Sequence, residues 1–470
     1  MTGPDLERLF SPRALAVVGA SEAPGRVGRI VFEQLLRSGR PVYPVNPHRA
    51  TILGERVFAS PAELPDGVDL AVIATTAGPA VEAAEAAAAR GIPFVLPVAG
   101  GFREAGTAGL ALEERLAALA REGRTRVLGP NTLGIFLPHE RLDTIFVEHG
   151  DRALGVGGSV AVVSQSGSVG TEALGAASNA GFGMRAFVGL GNKCDLDELD
   201  MLRHFAADPG TRCLAFYIES LDEGRAFLEE ARRVSPEKPI VVLKAGRTRT
   251  GAAAVGSHTG RLAGSDRVVD FAFRQFGVQR AHDDQSLCDL AKALAGLPPA
   301  RGNRVALLGL AGAYGVMGAD FVESEVRGVQ LEMARLAPGT VERIRRVAVP
   351  YAACQNPVDL TASATDAMFL ETTRALLDDP GVDMVVLNTF FAPPGITEGL
   401  IEPLAEIVRA SPKPVLDFSL YGPQTDAILR RFHALGVVGY PSLERAVRAA
   451  RGLWERAGIL ASLARRSLPG

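Results

Sequence analysis

Short, unbroken aliphatic runs recur along the chain, each followed by a glycine- or serine-rich turn and then by apolar positions spaced three or four residues apart. Three openings of this kind stand out: "ALAVVGASEAPGRVG" from Ala14, "SVAVVSQSGSVG" from Ser159 and "RVALLGLAGAYGVMG" from Arg304. Uninterrupted Val/Ile/Leu runs mark strands covered on both faces, as in a parallel sheet flanked by helices. Within the first third the spacing predicts further strands at 41–46, 70–75, 93–99 and 126–131, with helices over 78–91 and 110–123, each closed by a glycine. The second third continues with AFVGLG, CLAFYIE and PIVVLKAG, and the last with VDMVVLNTFF and PVLDFSL.

A chain of 470 residues exceeds one ordinary core, and at roughly 150 residues per domain about three are expected. The Pro/Gly/Arg-rich "GLPPARGN" (296–303) reads as one linker and "HGDRALGVGG" (149–158) as a softer one. The expected architecture is therefore α/β throughout, with parallel-sheet domains over 1–150, 151–297 and 298–470. A formal net charge of −3 provides no basic footprint for nucleic acid. Cys194, Cys213, Cys288 and Cys354 form no C-x-x-C pair and read as buried free thiols of a reducing compartment. The start lacks a basic segment followed by an apolar run, and no stretch reaches the roughly 20 apolar residues of a membrane span. A cytoplasmic chain without membrane contact is expected.

The first opening runs Gly19-Ala-Ser21-Glu-Ala-Pro-Gly25-Arg26-Val27-Gly28. Glycines here permit a tight turn and close approach of phosphates to the N–H groups of a helix start. A nicotinamide site would require G-x-G-x-x-G and an acid closing the second strand. That strand instead ends in Asn46, His48 and Arg49. A nucleotide-bearing ligand other than NAD fits these residues better, with a plain glycine turn as the alternative.

The second opening sets Ser164, Ser166, Gly167 and Ser168 before an amphipathic helix, a place where unpaired N–H donors and the helix dipole favour an anion. Serine and glycine at such a turn are equally common as structural caps. Further on, "AAVGSHTGRLAGSD" (253–266) places His258 among small residues and glycines. The stretch reads as a bare loop and a poor helix. No second His or Cys lies close enough in sequence for a metal, and Gln165-Ser166-Gly167 lacks the leading glycine of a hydrolase elbow. His258 is left as a phosphoryl-accepting nucleophile, an acid/base group or an inert loop residue, with Glu219 at the end of "CLAFYIE" able to orient its ring.

Taken together and in order, "VVGAS…PGRVG", "VYPVNP", "LAVIAT", "LGPNTLGI", "VVSQSGSVG", "GLGNKCDLDELDML", "YIES", "VVLKAGRT…SHTGRLAGSD" and "NPVDLT" resemble the alpha subunit of the NDP-forming acyl-CoA synthetases, relatives of succinyl-CoA synthetase. The resemblance implies a Rossmann-like CoA-binding domain followed by two flavodoxin-like domains. It implies that His258 is transiently phosphorylated with Glu219 as its supporting carboxylate, and that Ser164, Ser166, Gly167, Gly191 and Asn192 form the phosphate site. CoA would lie against Gly19, Ser21, Arg26, Val27 and Gly28, with Asn46, Thr75 and Asn131 on adjoining strand ends. The implied reaction interconverts acyl-CoA, ADP and phosphate with a carboxylic acid, ATP and CoA. ATP or ADP and Mg²⁺ would be held by an ATP-grasp beta subunit in a heterotetramer, since neither a Walker motif nor spare length for that fold is present. A CoA- or acyl-CoA-binding regulatory protein without catalysis is the alternative. Two departures stand out: "GPNTLG" replaces the usual "GPNCLG", and "LGLAGAYGVMGAD" opens the last third where a T-N-x-G-G-x-G-like turn is the pattern.

Overall fold

The computed structural model describes residues 4–147, 157–180, 183–259, 265–326, 328–420 and 424–466. The chain forms two compact units, one comprising Met1–Gly175, Gly183–Val234 and Val242–Phe276, the other Ala176–Phe182, Ser235–Val241 and Gly277–Gly470.

The first unit opens with a parallel sheet whose strands lie in the order Val42–Val45, Leu15–Val18, Leu70–Ile73, Phe94–Pro97 and Arg126–Val127. Leu15–Val18, Leu70–Ile73 and Phe94–Pro97 are buried at every position, which explains why they read as continuous apolar runs. Helices Ala77–Ala89 and Thr107–Arg121 cover the sheet. The alanine-rich helix buries Ala80, Val81, Ala83, Ala84 and Ala87, and its small side chains bring it close to the strands. At the strand starts the fully buried Asp69 carboxylate binds Arg8 and Arg13.

A further sheet in this unit carries Cys213–Ile218, Gly157–Ser164, Met184–Gly189, Ile135–Leu137 and Leu142–Asp143 as successive neighbours. The first three run parallel, and 135–137 and 142–143 add antiparallel. The chain thus reaches this sheet directly after its Gly-Pro-Asn turn. Gly134, at φ +108°, makes the passage, because a Cβ there would lie 2.4 Å from Thr144 Oγ1. That hydroxyl accepts the Ile135 N–H at 2.8 Å. The softer linker read at 149–158 falls almost wholly outside the described residues.

In the second unit a parallel sheet runs Glu332–Met333, Arg304–Gly309, Met384–Thr389, Val415–Ser419 and Val438–Tyr440, with Val358–Asp359 also pairing to 304–309. Helices Pro338–Val347, Asp366–Asp378 and Ile401–Ala410 bury their apolar stripes around Phe369, Leu376, Leu404 and Phe432. All four cysteines are free; Cys213 and Cys288 are buried as expected, whereas Cys194 and Cys354 are only partly so. Among the described residues, no helix is long and apolar enough to cross a membrane.

Candidate active site

Parallel strands deliver their following turns to one sheet edge, the carboxyl edge, where ligands of such folds bind. In the first sheet this edge gathers Gly19, Asn46 and Thr75, each directly after or within two residues of the end of one of three adjacent strands. Gly19 takes φ +85°, and a Cβ on it would lie 2.9 Å from both Ala74 O and Thr75 Cγ2. Gly28, in the first turn of helix Val27–Leu36, packs so closely that its Cβ would fall 2.0 Å from Gly19 O. The strand end and the helix start are therefore pressed together, and exposed Arg26 stands at the helix N-cap. Asn46 donates its side-chain N–H to Ala20 O at 2.9 Å, and Ser21 Oγ accepts the Ala23 N–H at 3.1 Å. Thr75 Oγ1 is buried without a hydrogen-bond partner among the described residues.

In the neighbouring sheet, strand Gly157–Ser164 leads into Gln165 and Ser166, and Gly167 begins the helix Gly167–Ala180. Gly167 and Ser168 are exposed at the helix start. Ser164 is buried, donates its hydroxyl to Ser166 O at 2.7 Å and accepts the Ser166 N–H at 3.2 Å, so it shapes the turn. Ser166 and Ser168 hydroxyls bond to each other at 2.9 Å. Gly170 lies over Phe187, whose ring would be 2.3 Å from an added Cβ.

Glu219 follows strand Cys213–Ile218, which pairs with Gly157–Ser164 in the register Ser164↔Tyr217. Its carboxylate accepts the Tyr217 hydroxyl at 3.2 Å, and its carbonyl accepts Lys244 Nζ at 2.8 Å. Burial, then the Glu219 charge, drives the Tyr217 phenol well above its usual range, so it remains a donor. Lys244 closes strand Ile240–Lys244, and Ala245 N–H donates to Ile218 O at 2.9 Å.

After this strand the structure corrects one expectation. His258 stands in helix Arg249–Thr259, not on a bare loop. Thr248 accounts for the start, its Oγ1 accepting the Gly251 N–H at 3.0 Å. Ala252, Ala253 and Ala254 are strong helix formers that outweigh the flanking glycines. The glycine-rich remainder, 260–264, lies outside the described residues. The helix lies against the short turn Arg103–Ala105 that follows the fourth strand of the first sheet.

The remaining two expected residues, Gly191 and Asn192, follow strand Met184–Gly189. Gly191, at φ +57°, lets the loop touch the Gly-Pro-Asn turn, since a Cβ would lie 2.2 Å from Pro130 O. Asn192 gives its backbone N–H to Pro130 O at 2.9 Å. Its amide nitrogen donates to Glu104 Oε2 at 2.7 Å and to Glu113 Oε2 at 2.8 Å, while its carbonyl accepts Asn131 Nδ2 at 3.3 Å. Every N–H of Asn192 is thus engaged within the protein. Asn131 itself takes φ +57°. Thr132, the departure in "GPNTLG", is buried and bridges Gly189 O (2.6 Å) and the Gly134 N–H (3.0 Å).

A second set of residues was not singled out from the sequence. Gln165 Oε1 accepts the N–H groups of Glu219 (2.7 Å) and Ser220 (3.1 Å), while its amide donates to Ser220 O (2.8 Å) and to Glu198. Lys193 Nζ completes this buried group, lying 2.5 Å from Glu198 Oε1 and donating to Ser220 O at 2.7 Å. Burial raises the Glu198 carboxyl, and Lys193 opposes that rise. The only hint in sequence was position: Gln165 lies between the two serines, and Lys193 and Glu198 flank an Asp-rich run at a strand end. In the last third, Gly312 begins a helix beside Asp359, whose Oδ2 would be 3.1 Å from an added Cβ, so a carboxylate faces that turn. Phe102 and Phe187 are fully buried core residues.

Residues 13–138 match the CoA binding domain family, 157–294 the succinyl-CoA ligase like flavodoxin domain and 305–460 the ligase-CoA domain. Domain families of CoA ligases thus succeed one another along the chain. It is 34% identical over 459 residues to the acetate–CoA ligase [ADP-forming] II subunit alpha of Pyrococcus furiosus, spanning 96% of this chain and 98% of that protein. It is 30% identical to a trans-feruloyl-CoA synthase from an unknown prokaryotic organism, over 94% of this chain but 64% of that longer protein. The structure superposes with a TM-score of 0.88 and 32% identity on the dinucleotide forming acetyl-coenzyme A synthetase 1 of Ca. Korarchaeum cryptofilum, solved in complex with phosphate and ADP, covering 99% of this chain and 100% of that one. The chain belongs to the ADP-forming acyl-CoA synthetase family. It is an acid–thiol ligase chain built on a CoA-binding domain.

Proposed function

We propose that this chain is the alpha subunit of an ADP-forming acyl-CoA synthetase in which His258 carries the phosphoryl group between an acyl phosphate and a nucleotide. CoA lies at the first sheet edge against Gly19, Ser21, Arg26, Val27 and Gly28, with Asn46, Thr75 and Asn131 beside it. A phosphate oxygen attacks the thioester carbonyl, the C–S bond breaks and CoA leaves as the thiol. The acyl phosphate then meets His258 at the Ser166–Gly167 helix start. An imidazole nitrogen attacks phosphorus, the bond to the acyl oxygen breaks and the carboxylate departs. ADP finally takes the phosphoryl group from nitrogen, giving ATP and free His258. Splitting the transfer lets one group serve two separated sites.

One observation carries this reading. Glu219, the Gly167 helix start and the helix bearing His258 all follow neighbouring strands at one sheet edge. A carboxylate there compensates charge on the ring, and N–H groups at the helix start receive the transferred phosphate. The nucleotide and its Mg²⁺ are assigned to an ATP-grasp beta subunit, in a cytoplasmic heterotetramer, because the Pyrococcus relative is itself named a subunit alpha. The three domains proposed are 1–150, 151–297 and 298–470.

The test uses acetyl phosphate labelled at phosphorus. The purified chain should take up acid-labile label, the His258→Asn variant should take up none, and calorimetry should find CoA affinity unchanged between them. Equal labelling of both proteins would remove His258 from the reaction. No labelling of either would leave a CoA-binding protein without this catalysis.

A further inference from the structure

The turn Gly101–Ala105 has an unusual set of neighbours. Glu104 Oε1 accepts the N–H groups of Gly101 (2.6 Å) and Phe102 (3.1 Å), and its Oε2 accepts Asn192 Nδ2 at 2.7 Å. Its carboxyl is held below the usual range: burial pushes it up, but Asn192 and the backbone N–H groups more than offset that. Glu113, almost fully buried, accepts the second Asn192 N–H and pairs with Arg103 at 2.5 Å. Gly100 stands between Glu104 and Asn131, with an added Cβ 3.1 Å from one side chain and 3.2 Å from the other. The same turn supports helix Arg249–Thr259. One carboxylate thereby ties together the Asn131 side of the proposed CoA face, the loop beside the phosphate turn, and the helix on which His258 rides.

We infer that Glu104 is a positioning residue for phosphoryl transfer, acting through Asn192 on the 190–193 loop and through its own turn on the His258 helix. It touches no reacting atom. Its work is to accept: three N–H groups converge on it, and only a group with no donor can satisfy all three. An amide in its place would turn an NH₂ toward one of those donors and release either the turn or Asn192. Glu113 cannot substitute, since its oxygens are shared by Arg103 and the remaining Asn192 N–H. The consequence belongs to rate, because misplacement by as little as 1 Å of a group involved in transfer costs about a hundredfold, whereas the CoA glycine turn lies on other strands of the sheet.

This inference rests on the phosphohistidine reading above, so the experiment includes its control. Labelling from acetyl phosphate is followed in the full chain, in Glu104→Gln, in Asn192→Ala, in the double variant and in His258→Asn. Each single variant is expected to slow labelling at least about tenfold, with CoA affinity within about twofold of the parent and melting temperature lowered only slightly. The double variant should be no slower than the worse single one, because both break one link. Multiplying effects, or labelling at the parental rate in Glu104→Gln, would overturn the inference while leaving His258 in place. Undiminished labelling in His258→Asn would instead bring down the reading beneath it.

Discussion

Gln165 Oε1 accepts the backbone N–H of Glu219 at 2.7 Å. The bond joins two turns that emerge from neighbouring strands, one beginning the Gly167 helix and the other presenting the carboxylate. Because the same oxygen also accepts the Ser220 N–H, the amide clamps the Glu219 turn at two successive residues. Glu198, itself paired with Lys193, accepts from the other end of the amide. The distance from helix start to carboxylate is thereby set by a buried network instead of by exposed, mobile side chains.

Gln165→Ala should consequently damage both stability and chemistry. It leaves two buried N–H donors unpaired, at about 1–3 kcal/mol each. Denaturant unfolding should show a loss of roughly 2–6 kcal/mol in the unit that contains it, and labelling of His258 should slow even at temperatures where the variant is folded. Unchanged midpoints in urea would mean that the clamp carries no load.

Glu219→Gln tests the carboxylate itself. The backbone bond to Gln165 survives the change, so the fold should be retained, but the amide cannot compensate positive charge on an imidazole. Losing one charge-assisted bond of about 1.5–3 kcal/mol in the transition state lowers the rate roughly tenfold to a hundredfold. Rapid-quench labelling kinetics equal to those of the parent would place Glu219 outside the reaction.

Much of this arrangement is legible in the sequence, and the reasons differ by residue. Strands such as Leu70–Ile73 are buried on both faces and announce themselves as aliphatic runs. Gly19 and Gly28 are legible because close backbone contact admits nothing larger. Gln165, Lys193 and Glu198 are not, since their bonds join turns from different strands and leave no periodic trace. Asn192 is legible only in part: its place beside the Ser164–Gly167 turn is apparent, but two carboxylates distant in sequence, Glu104 and Glu113, hold its amide. At His258 local composition pointed away from a helix, and the Thr248 cap with three alanines prevailed.

Gly28→Ala should abolish the close contact on the proposed CoA face. Its Cβ would stand 2.0 Å from Gly19 O and 2.9 Å from Gly19 C, both backbone atoms. Overpacking of this kind costs about 1–3 kcal/mol, and relief requires the helix start to withdraw from the turn. CoA affinity measured by calorimetry should fall, while acetyl phosphate labelling at His258 should persist. Parental CoA affinity would show that the turn tolerates displacement.

Asp69 offers a pH test that is independent of catalysis. Burial alone would raise its carboxyl, but hydrogen bonds from Arg13 and Arg8 and the Arg8 charge prevail and lower it from 3.8 to about 2. A folded-state value below the unfolded one means that the contribution is complete above pH about 4 and is lost as pH falls through 3.8 toward 2. The amount is at most roughly 2 kcal/mol, because Arg13 and Arg8 are partly solvated. In acid titrations of stability, the gap between the parent and Asp69→Asn should narrow over that window. A gap constant from pH 5 to 2 would contradict the shifted carboxyl.

The last expectation concerns what the chain does alone. If His258 receives phosphoryl groups from acyl phosphate at the Gly167 helix start, that half-reaction needs only groups on this chain: the helix N–H donors, Glu219 and the ring. Passing the group onward requires a nucleotide site, which the proposed division of labour assigns to a partner. Purified chain should therefore accept label from acetyl phosphate and retain it when ADP is added. It should form no acyl-CoA from ATP, a carboxylic acid and CoA until an ATP-grasp subunit is supplied. Adding that subunit should discharge the label to ADP within one turnover. Steady ATP turnover by the chain alone would place a nucleotide site within these 470 residues and refute the division of labour between subunits.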